Sequence, residues 1–445
     1  MRTVSKTVIG VDFGTQSARA VLVNAENGEI IYSCRKEYPY NSTPVPAIDC
    51  AENLPCATDY EMTLYELLRN VIPEEYRKTV AGICVDATSL TMVLLAEDGR
   101  ALSELDGWSE AAHARVKLWK YHRAQEKADE ALNLARNLQE PFLGRTGGSI
   151  SCEWMLPKLL EVRDEAPEIY SKIDLAMDLC EFLTFRLTGQ LVRSIGSLSY
   201  KCLWAEDLSF PERTFLNGLR VGFYEEYCHF LRGDVRKPGE CAGMLRSELT
   251  KRWGLPEQIP VATGMLDGHT SLATMGAFEP GDAALIVGTS NVCTVQDRKL
   301  QELKDVCGVA QDGMVTGSCG IDTGQSSTGN MLGWFVEHMA GWQIHREAEE
   351  RKISPHQVLA ERIQKPWENK VIAVDWWSGS RNAPCDLTLR GSMSGLEMDT
   401  KTEDIYLALL QAIACGTGTI LESLSGQGVE IGRVLATGGI TEKNP

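Results

Sequence analysis

The residues of this chain best suited to chemistry lie in short glycine-containing turns. Asp12-Phe13-Gly14-Thr15-Gln16-Ser17 follows a β-rich apolar run. A glycine there lets backbone amides approach an oxyanion, and the flanking hydroxyls add donors. An Asp at the end of the preceding strand can hold Mg2+ through water. The other reading is an ordinary hairpin turn in which Asp12 caps its own backbone. Gly288-Thr289-Ser290 carries the same two readings in the second half. Two such turns, one in each half, could face each other and clamp a phosphate chain. Asp267 follows a strand-like run over 259–263 and is flanked by Gly264 and Gly268. Small neighbours leave its carboxylate open to accept a proton from a substrate hydroxyl during phosphoryl transfer. Against that stands a local Asx hydrogen bond in a turn. His269, two residues on, is given no role.

Other chemistries lack their residues. There is no G-x-x-x-x-G-K-[ST] and no H-E-x-x-H, and no G-x-G-x-x-G follows a strand. Seven dispersed histidines and no Cys-x-x-Cys pair argue against a structural zinc.

These residues need strands to position them. The opening reads as a β-meander over 7–13, 18–23 and 29–35, and a buried strand over 80–85 precedes a hairpin turning at Asp98-Gly99. Long helical periodicity covers 109–137, read as a solvated face, with shorter helices near 151–163 and 176–187. The second half repeats the pattern: a strand at 283–287, the Gly288 turn and a strand at 292–296. Helices over 325–338 and 403–423 follow, then a last strand at 433–436 ending in Gly438-Gly439. A strand–turn–strand unit in each half hints at an internal duplication. The break falls near 254–260, giving domains 1–255 and 256–445. The chain stops where an α/β unit would continue into a helix, so the second domain reads as truncated.

Of 445 residues, 43% are hydrophobic and 24% charged, the mix of a globular protein of two or three domains. Forty-four basic against 61 acidic residues leave a net charge of −17, which disfavours nucleic acid and anionic membranes as partners. The longest uncharged apolar stretch, 405–421, is short for a membrane span and holds Gln411, Gly416 and Gly418. No signal-peptide core separates Lys6 from Asp12. The 14 scattered cysteines read as reduced thiols, hence a cytoplasmic protein.

An ordered set of motifs then spans the chain: Gly10-Val11-Asp12-Phe13-Gly14-Thr15-Gln16-Ser17-Ala18-Arg19, Val85-Asp86-Ala87-Thr88, Leu118-Trp119-Lys120, Glu153-Trp154 with Lys158, Tyr200-Lys201-Cys202-Leu203-Trp204, Asp267-Gly268-His269, Gly288-Thr289-Ser290, Gly324-Gln325-Ser326 and Gly438-Gly439. In order and spacing it resembles the FGGY carbohydrate kinases, and within them the L-ribulokinases. The resemblance implies an α/β fold of two actin-like, ribonuclease-H-like domains with ATP and sugar meeting between them. It implies that Asp12 organises Mg2+, with Asp267 a second carboxylate reaching it through water. Thr15, Gln16 and Ser17 would lie near the transferred phosphoryl group, and Gly288, Thr289 and Ser290 would form the opposing phosphate loop. Gly438, Gly439 and Asn444 would border the adenine. Asp267 would be the general base, and Ser89, Lys201, Asp267 and Asp322 would contact the sugar.

The implied reaction is phosphorylation of the terminal hydroxyl of a ketopentose, ribulose first. The partners are that sugar and ATP, with a homodimer as an open alternative to the single chain. Lys201 otherwise reads as a solvated lysine, and Trp119 and Trp204 read as packing residues. Asp322 stands where ribulokinases carry Glu, and Tyr121 where an acidic residue is usual. These departures bear on the sugar accepted: D-ribulose, xylulose, ribitol and glycerol are the alternatives. A non-catalytic sugar or nucleotide sensor is the rival of another class.

Overall fold

The computed structural model describes residues 5–38, 54–364, 368–382, 385–386 and 388–443. The chain divides into two compact units. One comprises Met1–Leu143, Ile150–Thr270 and Asp312–Gly317; the other comprises Gly144–Ser149, Ser271–Gln311 and Ser318–Pro445.

Alternating apolar residues build the first unit's sheet. Strands β1 (Thr7–Phe13), β2 (Ser17–Asn24) and β3 (Ile30–Glu37) form an antiparallel meander. On β1, Thr7, Ile9, Val11 and Phe13 are buried, the two-residue period of a strand with one covered face. Strand β4 (Val80–Ala87) runs parallel to β1 and sets Asp86 beside Asp12. Pro260–Ala262 and Met265–Leu266 pair with the other edge of β4. Those pairings keep the chain with the first unit as far as Thr270, beyond the 254–260 break suggested by the sequence. Helix α1 (Ala57–Val71) covers the sheet with Tyr60, Leu64, Leu67 and Leu68, all buried at helical spacing. Each such leucine contributes about 1.5–3 kcal/mol. A second core gathers Gln125–Leu138, Met155–Glu165, Arg213–Leu219 and Phe223–Phe230 around the ribbon Met92–Leu95/Leu175–Asp178.

The second unit repeats the first unit's pairing. Asp282–Val287 is antiparallel to Asn291–Asp297, which is antiparallel to Cys319–Gln325, and Arg433–Thr437 joins Asp282–Val287 in parallel. This is the β1–β2–β3 meander with β4 added, and the shared topology supports the duplication hinted at by the sequence. Helix Thr402–Gly426 is long and apolar enough to cross a membrane by length and composition alone. Here Tyr406, Leu409, Ile413, Ile420 and Leu424 pack into the unit's core.

Three elements differ from the sequence reading. Residues 109–124 form no α-helix, only a 3-10 turn at Ala112–Ala114, and the helix begins at Gln125. The Val116 and Lys117 amides donate to Pro55 and Met92 carbonyls, and Arg115 reaches the carbonyls of Ser109 and Leu54. Tertiary hydrogen bonds thus override local periodicity. The expected helix at 176–187 starts instead at Leu179, because the buried Leu175–Asp178 pairs with Met92–Leu95. Asp178 and Glu181 cap that helix, a D-x-x-E spacing readable in advance. The hairpin at Asp98-Gly99 closes with one bridge, Leu95 to Ala101. Gln325 ends a strand, and its helix starts at Gly329.

Candidate active site

The first unit concentrates carboxylates where its strands end. Parallel register places Asp12 beside Asp86, and Asp86 pairs in turn with Met265, two residues before Asp267. Burial, reinforced by the Asp12 and Asp267 charges, pushes the Asp86 carboxyl up to about 9. At neutral pH Asp86 therefore keeps its proton and shares it in a hydrogen bond with Asp12. Burial also pushes Asp267 up to about 6, and the Asp12 charge adds to the rise. The N–H groups of Gly268 and Ser89 and the nearby Lys201 ammonium pull Asp267 back. The Gly268 bond measures 2.7 Å to Asp267 Oδ1. The structure thus brings Asp12, Asp267, Ser89 and Lys201 together, and adds Asp86, to which the sequence reading gave no role.

Lys201 is buried, with its ammonium 5.9 Å from the Tyr200 ring centroid, and so is not a solvated surface lysine. His269 stacks edge-on against Tyr200 at 4.7 Å, which accounts for it structurally. The Ser89 hydroxyl is buried with no partner among the described residues. A buried hydroxyl left unbonded is unfavourable, and a polar ligand atom would satisfy it.

The backbone at Ser89 is held by the next residue. Leu90 sits in the left-handed region at φ 63°, an arrangement worth about 1–3 kcal/mol of strain for a non-glycine residue. Its N–H donates to Asp178 Oδ2 at 3.1 Å, and its carbonyl accepts from Lys158 Nζ at 2.6 Å. Lys158 also reaches the carbonyls of Leu118 and Lys117 at 3.0 and 3.3 Å. One buried ammonium therefore ties the Ser89 loop to the segment carrying Trp119. Burial holds Lys158 down to about 8.

In the glycine turn, the Gly14 N–H donates to Ser17 O at 3.1 Å, and Tyr38 donates its phenol to Gly14 O at 2.9 Å. Thr15 Oγ1 accepts from Trp119 Nε1 at 3.1 Å, and Ser17 Oγ accepts from Arg35 Nε at 3.0 Å. Both hydroxyls are oriented as acceptors by these donors, so each can direct its own proton outward. Gln16 is exposed beside them. Trp119 is thus more than the packing residue expected from sequence; its adjacency to Thr15 arises from a contact between residues 104 apart in the chain.

The remaining candidates belong to the second unit. The Gly288 N–H donates to Ser290 O at 3.0 Å, and Gly288 O accepts from Gly329 N and Thr328 Oγ1 at 2.9 and 2.8 Å. These bonds fix the turn to the start of helix Gly329–Met339 and leave Thr289 exposed. A side chain at Gly329 would meet Gly288 O at 2.5 Å, so only glycine lets the two segments meet. Gly438 has φ +114°, and a Cβ there would lie 2.5 Å from Val287 O. Its requirement is close approach to the neighbouring strand; Gly439 begins the short helix after it. Asn444 lies outside the described residues. Asp322 is buried on Cys319–Gln325, opposite Thr294. The structure thus places Asp322, Gly288, Thr289, Ser290, Gly438 and Gly439 in a different unit from Asp267.

Among the described residues, no three His, Cys, Asp or Glu side chains gather closely enough to cage a metal ion. The Asp86 and Asp267 carboxyls, pushed up by burial with the Asp12 charge adding to the rise, nevertheless fit a hydrated dication shared with phosphate oxygens, the usual mode for Mg2+.

Comparison with known proteins bears on both units. Residues 7–275 match the N-terminal domain of the FGGY family of carbohydrate kinases, and residues 283–445 match its C-terminal domain. The chain is 34% identical to a ribulokinase of Halalkalibacterium halodurans over 99% of its own length and 80% of the relative's. It is 36% identical to a ribulokinase of Mycolicibacterium smegmatis over the same shares. In fold it resembles a xylulose kinase from Rhodospirillum rubrum (TM-score 0.75, 20% identity, 98% of this chain and 83% of that one). It also resembles a Plasmodium falciparum glycerol kinase solved with ADP (TM-score 0.77, 17% identity, 99% and 83%). With both domains matched in order and relatives aligned along nearly its whole length, this chain belongs to the FGGY family of carbohydrate kinases.

Proposed function

We propose that this protein transfers the γ-phosphoryl group of ATP to the terminal hydroxyl of a ketopentose, with ribulose as the preferred sugar. The observation that carries the reading is the setting of Asp267. It is a carboxylate pushed up to about 6, held by two N–H groups and beside a buried lysine and a serine hydroxyl that has no partner among the described residues. The identity to ribulokinases supports the choice of sugar.

In this reading Asp267 takes the proton of the sugar's terminal hydroxyl as its oxygen attacks the γ-phosphorus. A base titrating near 6 is ionised at neutral pH yet accepts a proton more readily than an ordinary Asp. Lys201 and Ser89 orient the sugar by hydrogen bonds to its oxygens, and Asp322 is a further acceptor for it. The Thr15 and Ser17 hydroxyls, with Gln16 and the Gly14 turn, donate to the transferred group. The Gly288-Thr289-Ser290 turn holds the nucleotide phosphates, and Gly438, Gly439 and Asn444 border the base. Asp12, with Asp86 and Asp267 close by, would hold Mg2+, which when bound neutralises charge on the phosphoryl oxygens. We place the reaction in the cytoplasm, where ATP is made; no disulfide joins the described cysteines.

ADP release is to be measured against L-ribulose, D-ribulose, xylulose, ribitol and glycerol. The reading expects the highest turnover with a ribulose and its loss in Asp267→Ala. Tight ATP binding with no sugar-stimulated turnover would refute it and favour a sensor.

A further inference from the structure

Leu68, Arg69, Ile72, Arg77, Arg252 and Trp253 line a cavity of about 300 Å³ in the first unit, at the C-terminal end of α1. Its floor is apolar, because Leu68, Ile72 and Trp253 belong to the core under the sheet. Its rim carries three guanidinium groups. Among the described residues none of the three forms an ion pair, whereas Arg186, Arg193, Arg220 and Arg232 each meet a carboxylate. In a chain with 61 acidic residues, partners were plentiful. The arginines are positioned by ordinary contacts: Arg252 lies 5.8 Å from the Tyr65 ring centroid, and Arg77 packs against Gly254. Each also stands in the last turn of its own helix, where a cation suits the helix dipole. That accounts for each arginine separately; it does not account for three unpaired cations converging on one hollow. Like charges so arranged repel unless an anion lies among them.

We propose that this cavity binds a small phosphorylated metabolite, its phosphate held by Arg69, Arg77 and Arg252 and its carbon skeleton on Leu68, Ile72 and Trp253. Guanidinium forks match phosphate oxygens in charge and geometry. A volume at the lower end of the roughly 300–1,000 Å³ range of small-molecule sites suits a sugar phosphate better than a nucleotide. The site lies along α1 from Tyr60, whose ring packs on Phe13 and Tyr38 beside the glycine turn. Arg69 is nine residues farther along the helix, about 14 Å. The inference does not depend on which sugar the kinase uses.

The test is calorimetric titration of the full chain with inorganic phosphate and with ribose 5-phosphate at constant ionic strength. We expect a saturable site whose Kd rises about tenfold with each of Arg69→Gln, Arg77→Gln and Arg252→Gln, the effect of losing one charged hydrogen-bonding partner. Sugar-dependent ADP release by these variants should stay at the wild-type level. Equal affinity for the two probes assigns recognition to the phosphate alone; tighter ribose 5-phosphate adds the apolar floor. The proposal is overturned if neither probe binds, or if the triple variant binds as the wild type does. Should the triple variant not fold, the double variant of the exposed Arg69 and Arg252 decides by the same criterion.

Discussion

Asp86→Asn should stabilise this protein at neutral pH while abolishing its turnover. In the folded chain the Asp86 carboxyl is pushed from 3.8 up to about 9, by burial first and by Asp12 and Asp267 next. A raised carboxyl pKa means that the folded state resists ionisation. The associated stability is intact below about pH 4 and is lost as pH rises toward 9. At 1.36 kcal/mol per pH unit, the interval from 3.8 to 7 sets a ceiling of about 4 kcal/mol on the penalty at pH 7. Asn has nearly the same shape, keeps an N–H to offer Asp12 and never ionises, so it removes that penalty. The assay is urea unfolding of both proteins at pH 5, 7 and 8.5 without divalent ions. The variant's advantage should be about 1–2 kcal/mol at pH 5 and about 2–4 at pH 7, and should grow further at pH 8.5. Turnover should fall at least about a hundredfold, the exchange of stability for activity common at strained sites. An advantage that does not change with pH, or a variant less stable than wild type at pH 7, would refute the reasoning. It would mean that the Asp12–Asp86 pairing carries no buried, unneutralised carboxyl.

Four other outcomes follow from the same geometry. Asp267→Asn should lower kcat by about 10²–10⁴, and the wild-type rate, followed by ADP release, should fall as pH drops below about 6 while Asp267 takes up its proton. Lys158→Met takes the donor from the Leu90 carbonyl and the second donor from the carbonyls of Lys117 and Leu118, which keep the Met92 and Tyr121 amides; urea unfolding should show a loss of about 1–3 kcal/mol, and KM for the sugar should rise as the Ser89 loop loosens. Trp119→Phe removes the donor to Thr15; kcat should fall about tenfold with the melting temperature nearly unchanged, whereas an equal loss of stability would make Trp119 a packing residue only. Gly438→Ala sets a Cβ 2.5 Å from Val287 O at a positive φ and should destabilise the chain by about 1–3 kcal/mol or more in thermal unfolding.

The meander, the two glycine turns, the helix read over 403–423 and the ordered motifs were legible in the sequence. Period-two burial on β1 and helical spacing on α1 are local properties, readable without knowing what packs against them. The importance of Asp86 was not legible, since it comes from a parallel register that joins Asp12 to a residue 74 positions away. The same holds for Lys158 and Leu90, and for Trp119 and Thr15: each contact joins segments distant in the chain. Lys201 looks solvated beside its neighbours in sequence and is buried in the fold. Residues 109–124 have helical composition, yet their amides and guanidinium are taken up by carbonyls elsewhere in the fold. The sequence determined which residues could do the chemistry, because side-chain type and short-range spacing are local. Only the tertiary structure decided their protonation and partners, because burial and charge proximity are set by segments that meet through folding.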